Sequence, residues 1–438
     1  MEKQSYLKEY SKYTSLNVLG MIGLSCYILA DTFFVSKSLG ANGLTALNLA
    51  IPIYSFINGS GLMIGMGGGI KYSIFKSQNN DKNANSVFTQ ALMLTLIIAL
   101  TFFIIGICFT GNIVKMLGAN EEVYSMCYTY LQIILLFAPM FMLNNLLLCF
   151  VRNDGAPQLS MAAMIGGSLS NIILDYVFMF PFNMGIFGAV LATGLAPVIS
   201  MMILSPFFIK KKNHFKIIKE RIAKLYFIEI VSGGLPSLIT EVSSGIVMIV
   251  FNTIILQLAG NTGVAAYGVI ANLSLVVISI YTGISQGIQP LLSNGYGLKN
   301  IKKVKTIFKY ALITVVIVSM TIYLIIIFNN DTIVKIFNSE NNPLLQEIGQ
   351  AGLKIYFIGC LFAGFNIVSS IYFTATEHSL PAHIISLLRG FIIIIPTAFL
   401  LANLFKMTGV WATFPVTEII VSLISIVFIY QNTKKFLK

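Results

Sequence analysis

From Ser15 to Tyr430 the chain is a succession of apolar runs separated by short polar breaks. Each run has about the twenty residues a helix needs to cross a bilayer. A helix satisfies its own backbone hydrogen bonds in lipid, whereas the same surface in water would aggregate. Cut at the polar and Gly/Pro-rich breaks, the sequence predicts twelve spans. They fall at 15–36, 44–72, 86–110, 124–151, 160–181 and 187–209, then 226–257, 263–292, 306–329, 345–374, 382–404 and 409–430. Several exceed the minimum length, so tilting or kinking is expected. Only 10% of the 438 residues are charged and the mean hydropathy is +0.84, against about 25% charged in soluble domains. A soluble body, with or without a single anchor, is excluded.

The net charge of +12 is spread by topology. Both termini and the breaks near 73–85, 152–159, 210–224, 293–309 and 375–381 hold 21 of the 28 Lys and Arg residues. The opposite set of breaks holds Lys37, Lys115, Lys335 and Lys406. This asymmetry predicts a multi-pass protein of the plasma (inner) membrane with both termini cytoplasmic. The basic run Lys210, Lys211, Lys212, Lys216, Lys219, Arg221 and Lys224 reads as a topology determinant and linker. Nucleic acid is not an expected partner, because whole spans separate the basic groups. Cys26, Cys108, Cys127, Cys149 and Cys360 form neither a CxxC pair nor a metal spacing and are expected as free thiols. The polar start MEKQSYLKEYSKYT and the full-length first run predict a retained span and no cleaved signal.

The halves repeat at an offset near 220 residues. Phe88, Ala91 and Leu92 recur as Phe308, Ala311 and Leu312; Ile113-Val114-Lys115 recurs as Ile333-Val334-Lys335; Ala192-Thr193 recurs as Ala412-Thr413. Six spans separate the copies, so both halves have one orientation. The expected fold is therefore all-α: twelve transmembrane helices in two six-helix bundles, related by a pseudo-two-fold axis along the membrane normal. On this division 1–209 is an N-lobe, 210–225 a cytoplasmic basic linker and 226–438 a C-lobe. Parallel repeats of this kind serve alternating-access carriers and also occur in channels.

An acid at mid-bilayer costs about 2.5–3.5 kcal/mol on insertion scales, so each one needs a reason. Asp31, Asp175, Glu241 and Glu418 fall well inside spans. Asp31 and Asp175 each lie about six residues below the external end of their span, and Thr193 sits at a comparable level, about 9 Å down. Asn171 precedes Asp175 by four, which puts amide and carboxylate on one helix face. Such a group could offer hard oxygen ligands to a small cation, or two carboxyls could share a proton. Alternatively Asp31 bonds nearby backbone and Asp175 faces a wet crevice.

Glu241 follows Pro236 by five and either meets a cationic substrate or pairs with Ser243 or Ser244. Arg389 of span 11 and Lys354 of span 10 are the intramembrane bases that could neutralise the second-half acids, and Glu418 is read as a structural pairing. Gln286, in Gln286-Gly287-Ile288-Gln289-Pro290, and Met63 join Glu241 as substrate-cavity candidates. Gly65-Met66-Gly67-Gly68-Gly69 lies within a span and lacks the GKS/T ending of a phosphate loop, so close helix contact or bending explains it.

Several motifs resemble the multidrug and toxic compound extrusion (MATE) family. They are Ala30-Asp31-Thr32-Phe33-Phe34-Val35 with Leu39-Gly40, Arg152-Asn153-Asp154-Gly155-Ala156-Pro157, Asn171-Ile172-Ile173-Leu174-Asp175 and Gln286–Pro290 with Asn294-Gly295-Tyr296-Gly297. Gly409-Val410-Trp411-Ala412 and Pro415-Val416-Thr417-Glu418 complete the set, which spans the chain in family order. The resemblance implies export of organic, often cationic, compounds in exchange for Na+ or H+. It also implies an N-lobe cation site that Asp31, Asn171, Asp175 and Thr193 fit. Some relatives carry essential acids on spans 7 and 10. Here span 7 has Glu241 at a shorter distance from Pro236, and span 10 has Asn366, Ser369 and Ser370 instead of an acid.

The expected function is thus a secondary, cation-coupled antiporter, with no catalytic activity and no cofactor beyond the coupling ion H+ or Na+. Its expected partners are small organic molecules and the lipid bilayer, as a monomer, and the residue bias toward Lys, Ile and Asn points to a bacterial source. A flippase for a lipid-linked precursor, from the same wider superfamily, is the alternative; it would need a basic cavity for phosphate. An intramembrane aspartyl protease lacks its GxGD motif here, and an ATP-driven pump its Walker motif.

Overall fold

The computed structural model describes residues 2–219, 224–338 and 342–436. Arg221 of the central basic run lies outside the described residues. Thirteen α-helices follow one another: α1 (Glu2–Ser77), α2 (Asp81–Cys108), α3 (Thr110–Met116), α4 (Glu121–Leu136), α5 (Ala138–Asn153), α6 (Pro157–Met179) and α7 (Gly185–Ile209). After the central loop come α8 (Lys224–Gly297), α9 (Ile301–Phe337), α10 (Pro343–Tyr356), α11 (Cys360–Ala375), α12 (Ser379–Leu387) and α13 (Ile394–Phe436). A single 3-10 turn, Phe357–Gly359, joins α10 to α11, and a π-helical turn, Leu388–Ile392, follows α12.

Among the described residues eight helical runs are long and apolar enough to cross a membrane, and α4 with α5, bent by 46°, forms a ninth. Three of the runs are each two spans. Gly40 (φ 63, ψ −150) divides α1, Gly260 (φ 61, ψ −157) divides α8 and Lys406 (φ 53, ψ −133) divides α13. A Cβ disfavours this backbone region, so glycine is the natural occupant at the first two breaks. Counting the divided runs twice gives twelve segments, in the order the hydropathy predicts. The chain is a multi-pass all-α membrane protein.

The repeat recurs in the backbone. At the end of α1, the N–H groups of Gln78, Asn79 and Asn80 bond Ile74 O, Lys76 O and Phe75 O. At the end of α8, those of Leu298, Lys299 and Asn300 bond Asn294 O, Tyr296 O and Gly295 O, 220 positions later in each case. Asn79 (φ 58) and Lys299 (φ 56) share the left-handed conformation that makes the turn.

Two compact units emerge. The first comprises Leu19–Val242 with Ser293–Asn300; the second comprises Met1–Val18, Ser243–Leu292 and Ile301–Lys438. Their boundaries fall inside α1 and α8, so 1–18 and 226–242 each group with residues from the other half of the sequence.

In the first unit the glycine run of α1 serves close helix packing. A Cβ on Gly67 would strike the Ile230 carbonyl, and one on Gly234 would strike the Met63 carbonyl. The backbone of α1 thus lies directly on that of α8. Outward faces are apolar: Ile97, Leu100, Ile104 and Ile107 make one exposed stripe of α2. In the second unit Ile313, Val316, Ile317, Met320 and Leu324 do the same on α9. Spacings of three and four place each set on one helical face, turned to lipid.

The loop after α7 is strapped to the first unit. Phe215 is 1% exposed, with its ring 4.5 Å from Phe88, 5.6 Å from Phe150 and 5.9 Å from Tyr72 between centroids. Alternate N–H groups on either side are accepted by side chains: His214 by Asp154 Oδ2 (2.8 Å), Lys216 by Asn85 Oδ1 (2.8 Å) and Ile218 by Thr89 Oγ1 (3.0 Å). That period of two is the habit of an extended chain. Asn85 and Thr89, four apart on α2, present their acceptors on one face.

Candidate cation site

Small residues let α1 and α6 run close together in the first unit. A Cβ on Gly20 would meet Met164 Sδ at 3.0 Å, and one on Gly23 would meet Ile165 Cγ1 at 3.4 Å. Eight residues beyond Gly23, just over two helical turns, Asp31 reaches the level of Asp175. The two carboxyl groups are close enough to interact. Both are buried, Asp31 at 7% exposure and Asp175 at 0%.

Asn171 and Thr193 complete the cluster. The Asn171 amide is oriented by its network: its NH2 donates to Asp175 Oδ2 at 3.0 Å and its oxygen accepts from the Thr193 N–H at 3.2 Å. The Thr193 hydroxyl donates to Ala189 O at 3.1 Å, leaving its lone pairs toward its neighbours. Asp31 Oδ1 and Asp175 Oδ1 have no hydrogen-bond partner among the described residues. Buried carboxyl oxygens are rarely left so, because an unmade bond there forfeits the whole hydration of the group. The structure therefore brings Asp31, Asn171, Asp175 and Thr193 together and leaves two hard oxygen donors unused.

Three tyrosines that the sequence reading passed over belong to this neighbourhood. Tyr130 of α4, 6% exposed, lies beside the Thr193 side chain and in the field of both acids. The hydroxyls of Tyr27 and Tyr54, both on α1, meet at 3.1 Å. A hydroxyl search at the depth of Asp31 would have found Tyr130; nothing in its neighbours marks it.

Glu241 sits elsewhere in the same unit. Asn58 Nδ2 donates to its Oε2 at 3.2 Å, and Asn145 Nδ2 donates to Asn58 Oδ1 at 2.8 Å. An amide of α1 is thus one partner of Glu241. Met63 is 6% exposed, in the core where α1 meets Gly234. Gln286 belongs to the second unit and is 8% exposed; its neighbour Gly287 packs against Thr14 and Tyr13.

The second unit holds another buried polar cluster. Arg389 Nε donates to Glu418 Oε1 at 2.5 Å, and Asn366 Nδ2 donates to Glu418 Oε2 at 2.7 Å. The Ser422 and Ser425 hydroxyls donate to Asn366 Oδ1 at 3.1 and 3.2 Å. Of the two bases considered for Glu418, Arg389 is the one that pairs.

Similarity to known proteins fits this architecture. The MatE family model matches residues 18–177 and 236–400. The multidrug export protein MepA of Staphylococcus saprophyticus is 25% identical over 431 residues, covering 98% of this chain and 94% of its own. MepA of Staphylococcus haemolyticus is 24% identical over 432 residues, with the same coverage. Among solved structures, an outward-facing multidrug resistance MATE family transporter of the MOP superfamily superposes with TM-score 0.92 at 21% identity, covering 98% of this chain and 96% of that one. A MOP superfamily transporter from Pyrococcus furiosus, whose reversed pocket polarity is taken to suggest a different function, gives 0.91 at 22% identity with the same coverage.

Proposed function

Because this chain belongs to the MatE family, we propose that it exports structurally varied organic cations from the cytoplasm in exchange for Na+ or H+ bound at Asp31, Asn171, Asp175 and Thr193. The observation that carries this reading is the interaction of two buried carboxyls, each with an oxygen that no group among the described residues satisfies. Two carboxylates at that distance repel one another in a poorly hydrated bundle, so one proton or one small cation between them relieves the charge. Asn171 and Thr193 supply the neutral oxygens that a bare Na+ takes in place of water.

Exchange then needs one condition, that ion and substrate favour different arrangements of the carrier. An ion bound from outside stabilises the state that releases the organic compound; substrate bound from inside stabilises the other. Glu241, held by the Asn58 amide that Asn145 in turn fixes, offers a carboxylate to a cationic substrate. The Lys and Arg asymmetry supports cytoplasmic termini. The MepA relatives support multidrug substrates. For a phosphate-bearing lipid precursor two of the bases within the bundles are poorly placed: Arg389 is paired with Glu418, and Arg152 lies on Met66 Sδ and Cys149 Sγ at 3.4 and 3.5 Å.

The test is counterflow of a fluorescent organic cation in proteoliposomes, with Na+ and pH gradients imposed separately. One gradient is expected to drive uptake against concentration. Asp31→Asn and Asp175→Asn are each expected to abolish it while protein levels in the membrane hold. Wild-type flux from either variant would refute the assignment.

A further inference from the structure

A carboxylate buried within a membrane bundle needs a counter-charge, and three can serve: a proton, a metal ion or a fixed base. The two units of this protein answer that need differently. In the first, Asp31 and Asp175 lean on one another and each keeps an oxygen free. In the second, both Glu418 oxygens are taken, Oε1 by Arg389 and Oε2 by Asn366. Asn366 is itself fixed by Ser422 and Ser425. Glu418 is 1% exposed and Asn366 0%, so water does not replace either partner.

The chain bends its own geometry to make this pair. Arg389 sits in the π-helical turn Leu388–Ile392, closed by Ile393 N bonding Leu388 O at 3.0 Å. A π turn carries one residue more than an α turn and rotates the side chains beyond it, and such turns gather at functional sites. Pro396 follows, unable to give the helical N–H at its position. The titratable groups around the pair are Tyr281, Tyr356 and Cys360, all buried and neutral in kind, so among the described residues no second base competes for Glu418.

We propose that Arg389 is a tethered counter-ion: it occupies the place that an exchangeable cation would take beside Glu418. The second unit therefore contributes no coupling ion at Glu418, and of these two carboxyl clusters the one at Asp31 and Asp175 sets the ion-to-substrate ratio. Arg389 is then a stoichiometry-determining residue. This rests on the exchange reading above and deepens it, since a relative with an unpaired acid in the second half would carry a further ion per cycle.

The ratio is read in proteoliposomes as the ion gradient that just balances an opposing gradient of the fluorescent cation. Wild type and the double variant R389M/E418M, which replaces the buried pair by apolar side chains of similar length, are expected to balance at the same ratio. A double variant that moves one ion fewer per substrate overturns the inference. Should it not fold, Arg389→Lys preserves the charge and is expected to keep the wild-type ratio; any change in the ratio overturns the inference.

A second readout needs no transport. Infrared difference spectra of the purified protein, with and without Na+ and between low and high pH, report which carboxyls change. The wild-type bands are expected to vanish in Asp31→Asn and to persist unaltered in R389M/E418M. A band that disappears in the double variant assigns ion binding to Glu418 and overturns the inference while leaving exchange intact. Wild-type protein with neither ion-dependent flux nor ion-induced bands would instead sink the exchange reading itself.

Discussion

The backbone N–H of His214 donates to Asp154 Oδ2 at 2.8 Å, which ties the loop after α7 to the turn after α5. Tyr72 Oη donates to the other carboxylate oxygen at 2.5 Å, so Asp154 bridges the strap and α1. Beside it Phe215 fills an aromatic pocket. Phe215→Ala is expected to destabilise the protein by about 3–5 kcal/mol, the usual loss for a buried ring. Lys212→Ala, on an exposed side chain three residues earlier, should change little. Thermal denaturation in detergent compares the two; equal midpoints would show that the strap is not held as described.

Tyr130→Phe removes one hydroxyl from the carboxyl cluster and keeps the ring that packs there. A single hydrogen bond is worth about 0.5–1.5 kcal/mol net, so the ion concentration for half-maximal exchange should rise by up to about tenfold. Expression and thermal stability should stay close to wild type. An unshifted ion dependence would remove Tyr130 from the site.

Gly67→Val would drive a branched side chain into the Ile230 carbonyl, with backbone on both sides and no room to yield. Loss of monodisperse protein in size-exclusion chromatography is the expected result. Gly268→Ala is the control: nothing lies within 4 Å of the added methyl. There the exchange of helical Gly for Ala should stabilise by about 0.5–1 kcal/mol.

Lys406 adopts φ 53, ψ −133 at the break in α13, a region that costs a non-glycine residue about 1–3 kcal/mol. Its side chain is exposed. Lys406→Gly is expected to raise the thermal midpoint by relieving that strain, less the greater freedom that glycine has when unfolded. A lowered midpoint would mean that the lysine side chain contributes more than its backbone costs.

Much of this molecule could be read from residue order. The apolar runs gave the spans, and Gly40 and Gly260 mark two of the breaks by residue type alone; Lys406 marks the third and carries no such signal. Depth arithmetic grouped Asp31, Asp175 and Thr193 because helical rise is constant, and α-helical spacing added Asn171. What escaped was whatever depends on rotation or on contact across helices. Tyr130 is an ordinary tyrosine until α4 turns it to Thr193. Phe215 lies in a run of lysines whose charge hides its burial. The aim of Arg389 depends on a π turn, which no periodicity of 3.6 foretells. Glu418 could be matched to a base because bases within the spans are few.

Asn79 and Lys299 make the same left-handed turn with the same three bonds, although an amide stands in one place and an ammonium in the other. A duplicated ancestor that keeps its joints while its side chains drift can let one copy specialise without rebuilding the scaffold. Residues transplanted between the two copies at matching positions should therefore find familiar backbone waiting for them, which makes each half a template for re-engineering the other.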